Sequence, residues 1–468
     1  MKVVLVFPHI TKLDELSDWW YPTASKRKEK RKVVIPLGML YLCSSIQANH
    51  ESVFIDNSVH MLSDDQLADW CLKHEPDVVG FGGTCIELPQ ASSVAGKIKS
   101  KSPKILTVYG GPNATARPEK HVNYFDYVFR GMAEKTFNEF LCCIEQKKPV
   151  YGISGLCSKE FPNIAPPSFF QNLDDLPLPD RTKVDLNQYK RKASHCSFPA
   201  DAVIASRGCP YNCRFCSSKY IWCQKYFVRS VESVIEEILY MKETYGTRTI
   251  HFREDNFTVN PKRLLQFCSA LKDLNVDWLC QSRVGSLNEK TIRIMKESGC
   301  KYISCGFESI NDSTLRYMRK GQTADQVIQT INTFEKVGIA YTGAFMVATP
   351  NEGKEEIINT LKFVNKVSQF KHSKIPNTAV RFLGIPISEM YNEILRDGLV
   401  EFDWQDGELL FPGTYQLSSK EVDTIIQDFK ENTSLMSRYY NARTRFRKRI
   451  AVRTYRVYDA LRRWTSIS

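Results

Sequence analysis

The sequence predicts an α/β protein in two unequal parts: a doubly wound open parallel sheet, then a partial (β/α)6 barrel with a helical C-terminal segment. Three observations predict it. Over the first 150 residues, short apolar runs alternate with helical periodicity, the pattern of a parallel sheet covered on both faces. A proline-rich stretch of weak periodicity follows. From residue 202 the alternation resumes on a larger scale with six strand–helix units, which suits an incomplete parallel barrel.

In the first part, strands are expected at Val3–Phe7, Val53–Asp56, Val78–Phe81, Ile105–Tyr109 and Tyr124–Phe129, with helices at Gly38–Asn49, Asp64–Lys73, Ala91–Lys99 and Glu134–Glu145. Three of these strands run into glycine-bearing loops, GFGGT at 80–84, YGGPNAT at 109–115 and RGMAE at 130–134. One such loop needs no explanation beyond turning strand into helix. Three on the carboxyl edge of a Rossmann-like sheet, where ligands bind, favour a cofactor site. Gly110 and Gly111 let the backbone approach something large. The connector at 151–200 carries Pro162, Pro166, Pro167, Pro177 and Pro179. The second part is expected to place strands at Ala202–Ser206, Thr249–Phe252, Asp277–Ser282, Tyr302–Gly306 and Ala340–Val347, with a weaker one at Thr378–Leu383. Helices fill the gaps at Val231–Tyr245, Pro261–Leu274, Glu289–Ser298, Ala324–Val337 and Glu355–Val367. The expected division is therefore 1–150, a linker 151–200, a barrel 201–400 and a helical region 401–468 with a basic tail.

Composition bounds the function. Hydrophobic residues make up 43% and charged residues 25% of 468, ordinary values for folded domains. The chain shows neither an apolar run of spanning length nor a signal peptide, so a cytoplasmic protein is expected. Of the formal charge of +12, the segment from Arg438 to Ser468 holds nine Arg and one Lys against Asp459, about +9. The other residues are close to neutral, which argues against a nucleic-acid partner. The tail interleaves Arg with aromatic residues. It reads first as a helix with a solvated basic face, and second as a weak contact with an anionic membrane surface. The run SKRKEKRK at 25–32 reads as a solvated loop.

Fifteen cysteines without a secreted scaffold's dense spacing read mostly as buried thiols, Cys43, Cys71, Cys142 and Cys143 among them. The loop ASRGCPYNCRFCSSKYIW at 205–222 is the exception, with Cys209, Cys213 and Cys216 at C-x3-C-x2-C spacing and Phe215 before the last. A structural zinc site closes with four ligands. Cys223 stands seven residues on, and His195 and Cys196 lie upstream in the connector, so a zinc knuckle stays open as the weaker reading. A cuboidal iron–sulfur cluster ordinarily takes four thiolates, and three would leave one iron open to a ligand.

The motifs resemble the radical S-adenosylmethionine (SAM) superfamily, specifically members with an N-terminal cobalamin-binding domain. SRGCPYNCRFC resembles the cluster loop, FREDNFTVN at 252–260 the acidic motif ending the second barrel strand, and CQSRVGSLNEKTIRIMKESGC at 280–300 the third strand and helix. CGFESINDSTLRYMRKG at 305–321 is similar to the Gly-x-Glu-Ser motif with its following Lys-Gly. Upstream, IPLGMLYLCSSIQ, DVVGFGGT, YGGPNAT and LPLPDRTKVDLNQY match the cobalamin domain and linker. The resemblance implies that Cys209, Cys213 and Cys216 ligate a [4Fe-4S] cluster, that SAM chelates the fourth iron, and that electron transfer yields a 5′-deoxyadenosyl radical. It implies that Phe215, Glu254, Ser282, Arg283, Glu308 and Ser309 serve the SAM site, with Glu254 and Glu308 as anionic partners. It also implies that Gly82, Gly83, Thr84, Gly110, Gly111, Pro112, Asn113 and Gly131 hold the corrin by backbone contact and shape. An external electron donor such as flavodoxin or ferredoxin, and a small-molecule substrate, complete the implied partners.

This sequence departs from the family pattern in several places. No Asp-x-His-x-x-Gly supplies a histidine to cobalt, Met132 stands where relatives often carry Glu, and VATPNE at 347–352 and GIPISEM at 384–390 replace glycine-richer segments of the later strands. The expected function is methylation of an unactivated carbon. Oxidative cyclisation or ring rearrangement comes second. Methylthiotransfer is weaker because Cys43 and Cys85 lie in the wrong context for a second cluster. A cobalamin or iron–sulfur sensor is the non-enzymatic alternative.

Overall fold

The computed structural model describes residues 1–9, 35–46, 50–161, 166–189, 200–376, 379–400 and 412–432. The basic run at 25–32, His195, Cys196 and the Arg-rich tail from 438 lie outside the described residues.

The first sheet orders its strands β2-β1-β3-β4-β5-β6, with β1 Lys2–Phe7, β2 Glu51–Asp56, β3 Val78–Gly82, β4 Leu106–Gly110, β5 Tyr127–Phe129 and β6 Leu156–Cys157. The first five run parallel, and β6 pairs antiparallel with β5. Val3, Val4, Leu5 and Val6 are all fully buried, because a parallel strand between two helical layers has no wet face. One layer holds helices Leu37–Ile46 and Ala133–Glu145, the other Asp64–Lys73 and Leu88–Lys101. Ser63 caps its helix reciprocally with Gln66, satisfying otherwise orphaned amides.

The expected strand at Tyr124–Phe129 is only half as long. The amides of Tyr124 and Phe125 both bond the His121 carbonyl, so that stretch is a turn leaving the short helix Pro118–His121. The connector also does more than wrap the surface, since it supplies β6.

The second sheet runs β14-β13-β12-β11-β10-β7, all parallel and open between its end strands, so it is a partial barrel. Its strands are β7 Ala200–Val203, β10 Thr249–Phe252, β11 Asp277–Arg283, β12 Cys300–Glu308, β13 Ala340–Val347 and the two-residue β14 Val380–Arg381. Helices Val231–Tyr245, Pro261–Leu274, Glu289–Glu297, Ala324–Val337 and Lys354–Val367 cover its outer face around Trp278, Phe267 and Phe334. Helix 419–432 adds Val422 and Ile426 to the same core. The single strand expected at Ala202–Ser206 is broken. The chain bends after Val203, and Ser206–Gly208 (β8) pairs antiparallel with Tyr226–Val228 (β9) away from the main sheet. This bend launches the cysteine loop. No helix among the described residues is long and apolar enough to cross a membrane.

A buried charge network joins the two parts. Arg181, fully buried in the connector, pairs through Nε with Asp201 at 2.7 Å and through Nη2 with Glu237 at 2.7 Å. Glu237 also takes Arg229, whose Nη1 donates to the Tyr41 hydroxyl of the first part at 3.4 Å. Removing one member strands the others without water. We expect Arg181→Met to cost about 3–5 kcal/mol in chemical denaturation, far more than a surface Arg→Met control.

Candidate active site and cofactor cleft

The carboxyl edges of the two sheets face each other across a cavity of about 400 Å³. The first sheet contributes Gly82, Gly83, Thr84, Gly110, Gly111, Pro112 and Gly131, together with Phe7, Met39 and Met132. The barrel contributes Ser206, Arg207, Gly208, Trp222, Arg253, Glu254 and Asp255. Two glycines are forced by geometry. Gly111 has φ 106 and a Cβ there would stand 2.8 Å from the Gly83 carbonyl oxygen; Gly131 has φ 80 and a Cβ would stand 2.2 Å from that of Ser168. At these two positions backbone passes too close to backbone for any side chain, and apolar side chains such as Leu5, Phe7, Met39, Leu42 and Met132 line the cavity around them. Of the expected cradle residues, Asn113 alone is not in this wall; it lines a smaller adjoining cavity.

One wall is ionic. Arg207 donates to Glu134 at 2.6 Å across the two parts, with both side chains about nine-tenths buried, and its guanidinium lies over the Tyr41 ring. Glu134 Oε2 has no hydrogen-bond partner among the described residues. It is a buried acceptor in the wall of a cavity.

The cysteine loop follows β8 and is fastened at the far side of the barrel. Arg214 donates its amide to the Met318 carbonyl at 3.0 Å, pairs with Glu389 at 2.8 Å and with Glu393, and lies over the Tyr317 ring. N–H donors approach the sulfurs. Arg283 Nη1 is 3.4 Å from Cys213 Sγ, and the Ser218 amide is 3.4 Å from Cys216 Sγ. Burial pushes the Cys209 thiol up and the Cys216 thiol up to about 12. Without iron the pair would stay protonated, whereas the surrounding donors suit sulfur that carries charge. Among the described residues no three His, Cys, Asp or Glu group as a mononuclear centre requires, and His195 and Cys196 lie outside those residues. A cuboidal cluster places each thiolate on a different iron, so these three need not converge. The loop fits the cluster.

The polar strand-end residues divide. Arg283 meets the cysteine loop directly and stacks over Tyr211, 4.0 Å from its ring centre. Ser282 lies beneath in a hydroxyl chain, 2.8 Å from Thr258 Oγ1. Glu308 sits at φ 66, at the irregular end of β12, and its carboxylate holds Lys320 at 2.7 Å. Burial opposes charge on Lys320, but Glu308 beside it raises the ammonium above its ordinary range. Lys320 also lies over the Phe215 ring, so the pair reaches the cysteine loop. Ser309 is not brought to the site. Its Oγ accepts from the Asn311 amide at 3.1 Å and lies 3.5 Å from Thr360 on the outer helix Lys354–Val367.

Glu254 accepts from the Ala205 amide at 3.1 Å and from the Ser206 hydroxyl, at the bend between β7 and β8. Full burial pushes this carboxyl up to about 7, so near neutral pH it carries its charge only in part. Sequence reasoning passed over Lys320, Asp255, Tyr211, Arg207 and Glu134. Lys320 was visible as the Lys-Gly closing its motif, and Asp255 sits beside Glu254. Nothing local marks Arg207 and Glu134 as partners across 73 residues. Of the thiols expected in cores, Cys142 and Cys143 are only half-buried.

Comparison with known proteins agrees with this geometry. Residues 203–364 match the radical SAM superfamily and residues 30–141 the B12 binding domain. An uncharacterized methyltransferase of Pyrococcus horikoshii is 34% identical over 340 residues, 71% of this chain and 73% of that one. An anaerobic magnesium-protoporphyrin IX monomethyl ester cyclase of Rubrivivax gelatinosus is 25% identical, covering 81% and 69%. The fold is shared with the radical SAM methyltransferase TsrM of Kitasatospora setae, at TM-score 0.67 and 15% identity over 85% of this chain and 76% of that one. The chain belongs to the radical SAM superfamily, in the branch that carries a B12-binding domain. It is an enzyme of that family, with a [4Fe-4S] cluster, SAM and cobalamin as its cofactors. The cleft fits cobalamin, since its glycine loops and apolar side chains leave room for a flat macrocycle and Glu134 Oε2, unpartnered among the described residues, would suit its peripheral amides.

Two expectations follow. Gly111→Ala adds a methyl at a left-handed position against Gly83, so cobalt retained after desalting should fall severalfold while iron content holds. Glu352, fully buried, accepts from the Thr349 amide at 3.1 Å and from Thr314 at 2.9 Å, and burial pushes it from 4.5 up to about 7. The folded state therefore keeps this proton longer than the unfolded chain. Its stabilising share is complete below the ordinary carboxylate range and is lost as pH rises to about 7. Urea denaturation of Glu352→Gln across that window should show a shallower decline than wild type, with the share of Glu254 remaining.

Proposed function

We propose that the protein methylates an unactivated carbon of a small-molecule substrate held between the two sheets. One observation carries this reading: the glycine-floored cleft and the cysteine loop open from opposing carboxyl edges onto shared walls. When bound, the cluster with SAM supplies a hydrogen-abstracting radical and cobalamin supplies a transferable methyl group. Cys209, Cys213 and Cys216 hold the cluster, and Arg283 screens the charge gathered on the sulfurs. The Lys320–Glu308 pair sets a charged edge beside Phe215. Ser282, through Thr258, offers hydroxyls to a polar ligand, and Glu254 holds a proton near neutrality at the bend behind the loop. Gly82, Gly83, Thr84, Gly110, Gly111, Pro112 and Gly131 bind by shape, and Met39, Met132 and Trp222 exclude water. We assign Ser309 to positioning Asn311 against the outer helix rather than to ligand contact.

Oxidative cyclisation is the second reading, favoured by the likeness to the Rubrivivax gelatinosus cyclase. We further propose domain limits near 150, 200 and 400, as the two sheets and the connector suggest. A cytoplasmic setting with a flavodoxin- or ferredoxin-type donor would supply the electron. For the basic tail, a solvated face is preferred over weak membrane contact. Liposome co-sedimentation with a chain truncated after Ser437 decides between them.

The test is anaerobic reconstitution with iron, sulfide and hydroxocobalamin, then desalting and metal analysis. About four irons and about one cobalt per chain are expected, and methyl-labelled SAM should pass label to a carbon-bound position of a turned-over substrate. Replacing Cys209, Cys213 and Cys216 together by Ala should abolish bound iron and leave cobalt. Iron without cobalt in the wild-type protein would overturn the methylation reading.

A further inference from the structure

A second cavity of about 220 Å³ adjoins the cofactor cleft and shares Thr84, Pro112 and Ile221 with it. Both halves of the protein build its wall. Cys85 and Ile86 come from the loop after β3, and Asn113 and Ala116 from the short helix Pro112–Ala116. Ser217 follows the third cysteine directly, and Ile385 and Pro386 come from the loop after β14. An occupant would thus lie beside the glycine floor and next to the cysteine loop. Ile385 and Pro386 belong to the segment GIPISEM that departs from the family pattern. The next residue, Ile387, is held at φ 63, which a β-branched side chain adopts only where the surroundings impose it.

The chemistry of the wall is selective. Among the described residues none of the side chains lining it carries charge, so an ionised group placed there would lose its hydration without gaining a counter-ion from them. Its polar content is small, and one part of it lacks a partner. Asn113 is 5% exposed, and its Nδ2 has no hydrogen-bond partner among the described residues. A buried amide donor left unpaired is costly, and a ligand acceptor would relieve that cost.

We infer that this cavity is the substrate subsite and takes an uncharged, largely apolar group, with one hydrogen-bond acceptor that receives the Asn113 Nδ2 proton. The inference rests on the cleft reading above and deepens it by naming the class of substrate. Carboxylates, phosphates and amines are excluded from this part of the substrate by the cost of desolvating them.

The test uses the holoenzyme with cluster and cobalamin loaded, titrated calorimetrically with 1-octanol, octanoate and 1-octylamine. The alcohol should bind at least tenfold more tightly than either ion. Ile385→Trp should fill the cavity and weaken alcohol binding at least tenfold with iron and cobalt content unchanged; Ile385→Phe serves if the larger residue prevents folding. Asn113→Ala should weaken the alcohol severalfold and leave the ions as they were. Equal binding of an ion, no binding of the alcohol, or insensitivity to filling the cavity would each overturn the inference. So would loss of cobalt on filling it, which would assign the space to the corrin. Failure of the methylation reading shows separately, as wild-type protein without cobalt before any titration.

Discussion

Two parallel sheets with their carboxyl edges turned toward each other are useful only if something fixes their separation, and here that is buried charge. Arg207 and Glu134 meet at 2.6 Å across the cleft itself, while Arg181 and Arg229 converge on Glu237 behind it, with Tyr41 of the first part in the same network. Each charge is dehydrated and tolerable only because its partner comes from another segment. Such an arrangement adds little net stability compared with well-packed hydrocarbon. It makes one relative placement of the two parts far less costly than its neighbours, because any shift would strand a charge.

Around that fixed frame the site concentrates features a stable protein otherwise avoids. Glu308 adopts φ 66 where β12 loses register, and Gly306 leaves room for its carboxylate against Lys320: a Cβ there would stand 2.6 Å from Glu308 Oε1 and 2.8 Å from Lys320 Nζ. Glu254 and Glu352 are buried until their protons are held near neutrality. Glu134 Oε2 and Asn113 Nδ2 lack partners among the described residues. These groups stand at the facing edges, against cores of packed side chains around Trp278 and Val79.

Most elements were legible in the sequence because periodicity reports burial directly. Val231–Tyr245, Pro261–Leu274 and Ala324–Val337 coincide with their expected bounds, each opened by a cap at Ser230, Asn260 or Thr323. The misreadings share one cause. At Ile204–Ala205 and at Tyr124–Phe125 the chain is apolar enough for a strand, but its backbone hydrogen bonds go to Arg229, Glu254 or His121 rather than to a neighbouring strand. No local pattern records where a carbonyl finds its donor.

By itself the sequence determined the class of protein. Three cysteines at fixed spacing in a short loop can be read without coordinates, because their relative positions are set by a few backbone dihedrals, and the glycines after β3, β4 and β5 mark where backbone must come close. Tertiary structure decided what those loops face. It paired Arg207 with Glu134, brought Arg283 to Cys213 and Lys320 to Phe215, turned Ser309 away toward Thr360, and set Asn113 beside Ile385 in a second cavity. Those relations join residues tens to hundreds of positions apart. They exist only once two hydrophobic cores and a buried charge network have fixed where the chain passes.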